Sequence, residues 1–250
     1  MESQEFYSLL SHIIARARRR LLWLIMLLAG TSALGYWWAD GAMKYMFRMV
    51  RQVIFVSPAE AFVTKIKVAL TIGLVLALPL LLYLLIGTVR ARVKGLTPTT
   101  HVLLTVVSFG LFTGGAAFCY YAVLPVGIQF LLDFATLEMQ PLLSAGRFIS
   151  FVLMCLLVFG IMFELPLVIM LLTSVGILTA EKLRAKRRHA ILGVFIIAGI
   201  ITPSPDVLSQ ILLALPLLAL YEIGIFLTRF CKRPVERLPE IPADQQQLFM

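Results

Sequence analysis

The sequence predicts an all-α polytopic membrane protein of six transmembrane helices, the fifth of them short, with both termini in the cytoplasm. Three observations carry this expectation. The 250 residues are 60% hydrophobic and only 14% charged, with a mean hydropathy of +0.95, far more apolar than the average soluble domain. Apolar runs close to the ~20 residues needed to cross ~30 Å of hydrocarbon recur along the chain, separated by short charged segments. With the N-terminus inside, 16 of the 22 Lys and Arg residues fall on the cytoplasmic side and six on the other, the asymmetry that orients membrane helices.

Taken in order, Phe6, Leu9, Leu10, Ile13 and Ile14 recur at helical spacing. Residues 1–20 are therefore expected to be a cytoplasmic amphipathic segment able to lie on the membrane surface, stopped by Arg16, Arg18, Arg19 and Arg20. A transmembrane domain is expected over 21–228. Its first span, Leu21–Ala39, ends in Tyr36, Trp37 and Trp38, aromatics suited to a lipid-water interface. Ser57-Pro58-Ala59-Glu60 joins a capping box to a proline at the first helical position, so a short loop helix is expected to start there.

Span two is read as Val68–Val89 and span three as Val102 to about Leu124, with Pro125 marking its exit. Span four runs from about Phe148 to Leu172 and is interrupted by Glu164. After a basic link from Glu181 to His189, span five has only 13 residues, Ala190–Thr202, before Pro203-Ser204-Pro205. At 1.5 Å per residue it is about 20 Å long, which calls for local thinning of the bilayer or packing against neighbours. Asp206 is a plausible N-cap for span six, Val207–Thr228. The tail, 229–250, is expected to be cytoplasmic and disordered.

Several function classes are excluded. The formal charge of +9 sits between apolar runs without the aromatic-basic interleaving of nucleic-acid modules, so no nucleic-acid partner is expected. Cys119, Cys155 and Cys231 show no metal or redox spacing and are read as packing residues. No cleavable signal is evident. There is no HExxH, GxSxG or phosphate-cradling GxxxxGK[ST], and His12, His101 and His189 are isolated, so neither enzyme chemistry, a metal nor a cofactor is expected.

Glu164 lies well inside span four, where an ionisable group is costly and a function is the first reading. The other is a carboxyl kept neutral or paired, serving packing alone. Pro166, two positions on, frees a backbone carbonyl and implies a kink. Gln210 and Ser209 form either a polar patch in the membrane or an interhelical hydrogen bond worth ~0.6 kcal/mol. Glu222, nearer the cytoplasmic end, reaches interfacial water or Arg229.

From Ser150 onward the chain resembles the TatC family of the twin-arginine protein translocase. The resemblance is carried by Phe163-Glu164-Leu165-Pro166, the Arg-Ala-Lys-Arg-Arg link, Thr202-Pro203, Pro205-Asp206, Gln210, Pro216, Glu222 and Arg229 in family order. Earlier, Ser57-Pro58 with Glu60, Phe62 and Lys67 resembles the loop entering span two, and His12 with Arg18, Arg19 and Leu21 the amino-terminal motif. Coverage is about residues 8–230.

The resemblance implies a curved six-helix receptor in the cytoplasmic (inner) membrane that binds precursors of folded proteins by their twin-arginine signal peptides. It implies assembly with single-span TatA and TatB partners and with further copies of itself, and export driven by the proton-motive force. Glu164 and Gln210 would form the intramembrane polar cluster, with Ile200 and Ile201 near the partner helix. The family usually carries two acids that meet the signal arginines, and the matching positions here are Ala15 and Pro98. Glu2 or Glu5 would then substitute, beside His12, Arg18, Arg19 and Lys94, or the chain reads an altered signal. Two rival readings are a proton-coupled secondary transporter using Glu164 and a purely structural scaffold.

Overall fold

The structure, a computed structural model, describes residues 2–50, 53–55, 57–90, 97–133, 143–174, 176, 178–202 and 207–230; within 2–21, 88–90, 131–133, 143 and 230 it describes the backbone alone. The first element, α1 (Glu2–Phe47), is one unbroken helix of 46 residues. The stop expected at Arg16–Arg20 is corrected, because arginine is a good helix former, and the helix runs on past the span end expected at Ala39 to Phe47, since the edge of the hydrocarbon does not end a backbone ladder. Trp37 and Trp38 are 88% and 62% exposed, as side chains at a lipid-water boundary would be.

A two-residue strand β1 (Val53–Ile54) precedes α2 (Pro58–Arg90). Ser57 caps it, its Oγ accepting the Glu60 N–H at 3.2 Å. The helix begins where the capping box placed it but runs straight into span two, so no separate short loop helix exists. Helices α1 and α2 pack closely because Gly35 lies against the Ala69 carbonyl and Gly73 against Ser32. In lipid, where apolar side chains gain little by leaving the solvent, such small-residue contacts hold helices together. Near one end Lys65 joins the pair, donating to Asp40 at 2.8 Å with its ammonium 4.4 Å from the Tyr36 ring centre.

The third span is α3 (Pro98–Phe118), a π turn at Cys119–Val123, and α4 (Leu124–Asp133). The expected exit at Pro125 is corrected. In the wide turn the Leu124 N–H reaches back to the Cys119 carbonyl, and this local widening makes room for the Pro125 ring, which in a regular helix would strike the carbonyl four residues earlier. Strand β2 (Leu143–Ser144) then pairs in parallel with β1, Val53 opposite Leu143 and Ile54 opposite Ser144.

The fourth span is broken as expected, into α5 (Ala145–Phe163) and α6 (Leu165–Ser174). A short basic helix α7 (Ala180–Ala185) follows, then α8 (Arg187–Ile201) and α9 (Val207–Leu227), which ends in a 3-10 turn, Thr228–Phe230. Among the described residues, five helical stretches are long and apolar enough to cross a membrane. The 15-residue α8 is not among them; it measures about 22 Å against ~30 Å of hydrocarbon. The core lies around α5, where Ile149, Val152, Cys155 and Phe159 are fully buried together with Val68 of α2, Cys119 of the π turn and Leu217 of α9. The expected tail after Phe230 lies outside the described residues.

Candidate functional site

Glu164 occupies the break itself. Its own N–H bonds the Ile161 carbonyl, three residues back, at 3.1 Å, and its carbonyl accepts from Val168 at 2.9 Å. Pro166 is the cause, since it has no N–H for the Met162 carbonyl and its ring crowds the preceding turn. The side chain is partly buried between helices. Ser108 of α3 donates to Oε2 at 2.7 Å, whereas the buried Oε1 has no hydrogen-bond partner among the described residues. A carboxyl group so placed retains one acceptor site for an incoming donor.

Gln210 does not join Glu164. Its Nε2 donates to the Phe195 carbonyl of α8 at 2.7 Å, and its amide lies against Gly199, so it fastens α9 to the short helix. Ser209 beside it is buried. The two polar residues are thus separate polar points on different helix pairs. Ile200 and Ile201 also divide: Ile200 is 70% exposed on the outer face, while Ile201 is buried at 6%.

Along α8 runs a groove in two parts. A mouth of about 710 Å³ is lined by polar side chains of α2 and α5, including Glu60, Lys67, Arg147 and Ser150, and by Ile200, Ile201 and Thr202 at the end of α8. A slot of about 230 Å³ continues from it between α5 and α8, lined by Met154, Val158, Ile161, Met162, Ile197, Ile200 and Ile201, all apolar. Met154, Ile200 and Ile201 belong to both.

The mouth is built by the loop motif. The Glu60 carboxylate accepts from the Ser144 hydroxyl and from the Gly146 N–H at 2.9 Å, which ties the start of α2 to the first turn of α5. Lys67 donates to Ser150 Oγ at 2.9 Å, and Ser150 in turn donates to the Gly146 carbonyl at 2.7 Å. Phe62 points away, 61% exposed. At the opposite end Glu222 accepts from Arg187 at 2.6 Å. Arg187, not the expected Arg229, is thus its basic partner, and the Glu222 side chain stays 51% exposed; Arg229 lies over the Phe226 ring at 5.6 Å.

Sequence reading missed three residues. Ser108 is signalled only as a hydroxyl in the middle of an apolar run. Arg147 gives no sign that it lines the same groove as Lys67. His101, read as isolated, is 4% exposed, and its Nε2 bonds the Tyr83 carbonyl at 2.9 Å, clamping α3 to α2. Pro98 is the first residue of α3, behind a Thr97 cap, a position to which proline is suited. Lys94, Pro203, Pro205 and Asp206 lie outside the described residues; for Glu2, Glu5, His12, Arg18 and Arg19 only the helical backbone is described.

A family model described as "Sec-independent protein translocase protein (TatC)" matches residues 12–216. The chain is 34% identical over 229 residues to the Sec-independent protein translocase protein TatC of Carboxydothermus hydrogenoformans, covering 90% of this chain and 94% of that one. It is 32% identical over 236 residues to that of Escherichia coli K12, covering 92% and 91%. The crystal structure of the twin arginine translocase receptor TatC superposes with a TM-score of 0.80 at 34% identity, covering 88% of this chain and 99% of the other.

Proposed function

The chain belongs to the TatC family of Sec-independent protein translocase proteins, and we propose that its broken fourth span and the exposed face of α8 at Ile200 are where the other helices of the translocase engage it. It is a multi-pass membrane subunit of the twin-arginine translocase, working in protein transport alongside the other components of that complex. In this reading it sits in the cytoplasmic membrane with both termini inside. There it receives folded precursors through their twin-arginine signal peptides and assembles with TatA- and TatB-type single-span helices and with further copies of itself. Proton-motive force drives export.

One observation carries the site: a carboxyl group deep in a membrane span, on a helix broken around it, with one oxygen held by Ser108 and the other buried without a hydrogen-bond partner among the described residues. A group held that way is costly in lipid unless something uses it. A partner helix that brings a polar side chain to Oε1 would supply the missing donor. The exposed Ile200, on a helix too short for the bilayer, supports the same face as the point of approach. The first 20 residues, on the cytoplasmic extension of α1, are the part offered to the signal peptide, with Glu2 or Glu5 meeting its arginines and His12, Arg18, Arg19 and Lys94 around them.

The test is complementation of a strain lacking TatC, scored by export of a folded twin-arginine passenger. Glu164→Ala is expected to abolish export while the protein accumulates normally; wild-type export by that variant removes Glu164 from the mechanism. Glu164→Gln separates ionisation from hydrogen bonding, since the amide still accepts from Ser108. Charge reversal of Glu5 with unchanged export removes that residue from signal binding.

A further inference from the structure

The α8 groove has the build of a lipid site. Its mouth carries two cations, Lys67 and Arg147, neither of which is paired with a carboxylate among the described residues, whose ion pairs are Lys65–Asp40 and Arg187–Glu222, both outside the mouth. Lys67 is oriented by Ser150, which accepts from its ammonium at 2.9 Å, and two of the three donor positions on that nitrogen are left over. Glu60, the one acid among the described residues of the mouth, has Oε1 engaged by Ser144 and Gly146. Directly below lies the slot of about 230 Å³, walled only by apolar side chains.

We infer that this groove holds one anionic phospholipid, its phosphate between Lys67 and Arg147 and one acyl chain in the slot between Met154, Val158 and Ile197. Size selects the occupant of the slot. The slot of about 230 Å³ is a cleft in the surface: a helix, about 10 Å across with its side chains, would lie over it, whereas a single hydrocarbon chain fits within it. Charge selects the headgroup, because each basic residue near a membrane surface favours anionic lipid.

The position also matches a physical need. The 15-residue α8 leaves several ångströms of hydrocarbon uncovered, and the groove opens at its Thr202 end. A phosphate held at Lys67 and Arg147 fixes a headgroup at the end of the short helix, so the leaflet thins there by binding rather than by elastic strain. The lipid belongs to the leaflet opposite the basic helix α7, since α8 runs from that helix to the groove. The inference does not rest on the translocase reading and is tested on the chain alone.

The purified full chain, stripped of lipid in detergent, is titrated with phosphatidylglycerol, with phosphatidylcholine of the same chains and with inorganic phosphate, and bound adducts are read by native mass spectrometry. One phosphatidylglycerol is expected to bind about tenfold more tightly than phosphatidylcholine. That is less than two cations at ~1 kcal/mol each would give, because Glu60 shares the mouth. Lys67→Gln with Arg147→Gln is expected to erase the preference. Val158→Trp is expected to weaken both lipids by a similar factor and leave their ratio unchanged. In the wild type, which needs no variant to fold, a dihexanoyl phosphatidylglycerol is expected to bind at least tenfold more weakly than the dioleoyl form.

Retention of the preference by the double variant overturns the inference. So does equal binding of short and long chains, or displacement of the lipid by equimolar phosphate, which would make the mouth a simple anion site. A photoreactive side chain at Ile197 that couples in cell membranes only to another protein, never to lipid, would assign the slot to a partner helix and overturn it as well.

Discussion

Glu60→Ala combined with Gly146→Ala tests how the two ends of the bundle's outer loops are joined. The Glu60 carboxylate accepts from Ser144 Oγ and from the Gly146 N–H. Hydrogen bonds to a charged group contribute about 1.5–3 kcal/mol each, and Glu60 is only partly buried, so the pair lies near the low end, about 2–3 kcal/mol together. Its negative charge over the first turn of α5 adds about 0.5 kcal/mol through the helix dipole. Glu60→Ala is therefore expected to cost about 3 kcal/mol.

Gly146→Ala acts on the same contact from the other side. A methyl group there meets Glu60 Oε1 at 2.7 Å, Glu60 Cγ at 2.8 Å and Thr64 Oγ1 at 2.9 Å. Overpacking of this kind costs about 1–3 kcal/mol, partly offset by up to ~1 kcal/mol of helix propensity gained over glycine, for a net loss of about 1–2 kcal/mol. In the Glu60→Ala background two of the three close atoms are gone. The double variant is thus expected to be more stable than the sum of the singles by at least ~1 kcal/mol, well outside the additivity of independent sites. Reversible unfolding of the four proteins in mixed micelles, followed as a function of denaturing detergent, measures the cycle. Additivity within ~0.5 kcal/mol would refute the cross-loop contact.

Three further expectations concern packing and polar pairs. Gly115→Ala places a methyl 2.7 Å from the Phe159 carbonyl, backbone that cannot turn aside, and is expected to destabilise by about 1–3 kcal/mol. Gly110→Ala meets nothing within 4 Å and is expected to be neutral or stabilising, so equal thermal-shift losses for the two variants would contradict the α3–α5 approach. Gln210→Leu removes the 2.7 Å bond to the Phe195 carbonyl and is expected to cost about 0.6 kcal/mol, within the ~1.7 kcal/mol maximum of such bonds in membranes; a loss above 3 kcal/mol in the same unfolding assay would mean Gln210 supports far more than α8. The Arg187–Glu222 pair, with side chains 46% and 51% exposed, is expected to contribute no more than ~1 kcal/mol, and a double-mutant cycle should find it smaller at high salt than at low.

Much of this architecture was legible in the residues. Period and run length marked the spans, Ser57-Pro58 marked the start of α2, and the paired signals of Glu164 and Pro166 marked the break in span four, because each depends on neighbours within a turn or two. Where one local rule failed, a second local fact prevailed. Arg16–Arg20 changes the helix's surroundings without breaking its ladder, and the ring of Pro125 is absorbed by one wide turn at Cys119–Val123 instead of ending the helix.

Pairings across the bundle were another matter. Ser108 on Glu164, Phe195 under Gln210, Arg187 on Glu222, and Glu60 reaching Ser144 and Gly146 join residues between 15 and 86 positions apart. By itself the sequence determined that lipid is the solvent, where the backbone is helical, and that one helix is too short, since hydropathy and chain length act on each segment alone. Only the tertiary structure decided which polar group meets which, and that Lys67, Arg147 and an apolar slot share one groove, because those depend on the rotation and depth of packed helices, which no single segment encodes.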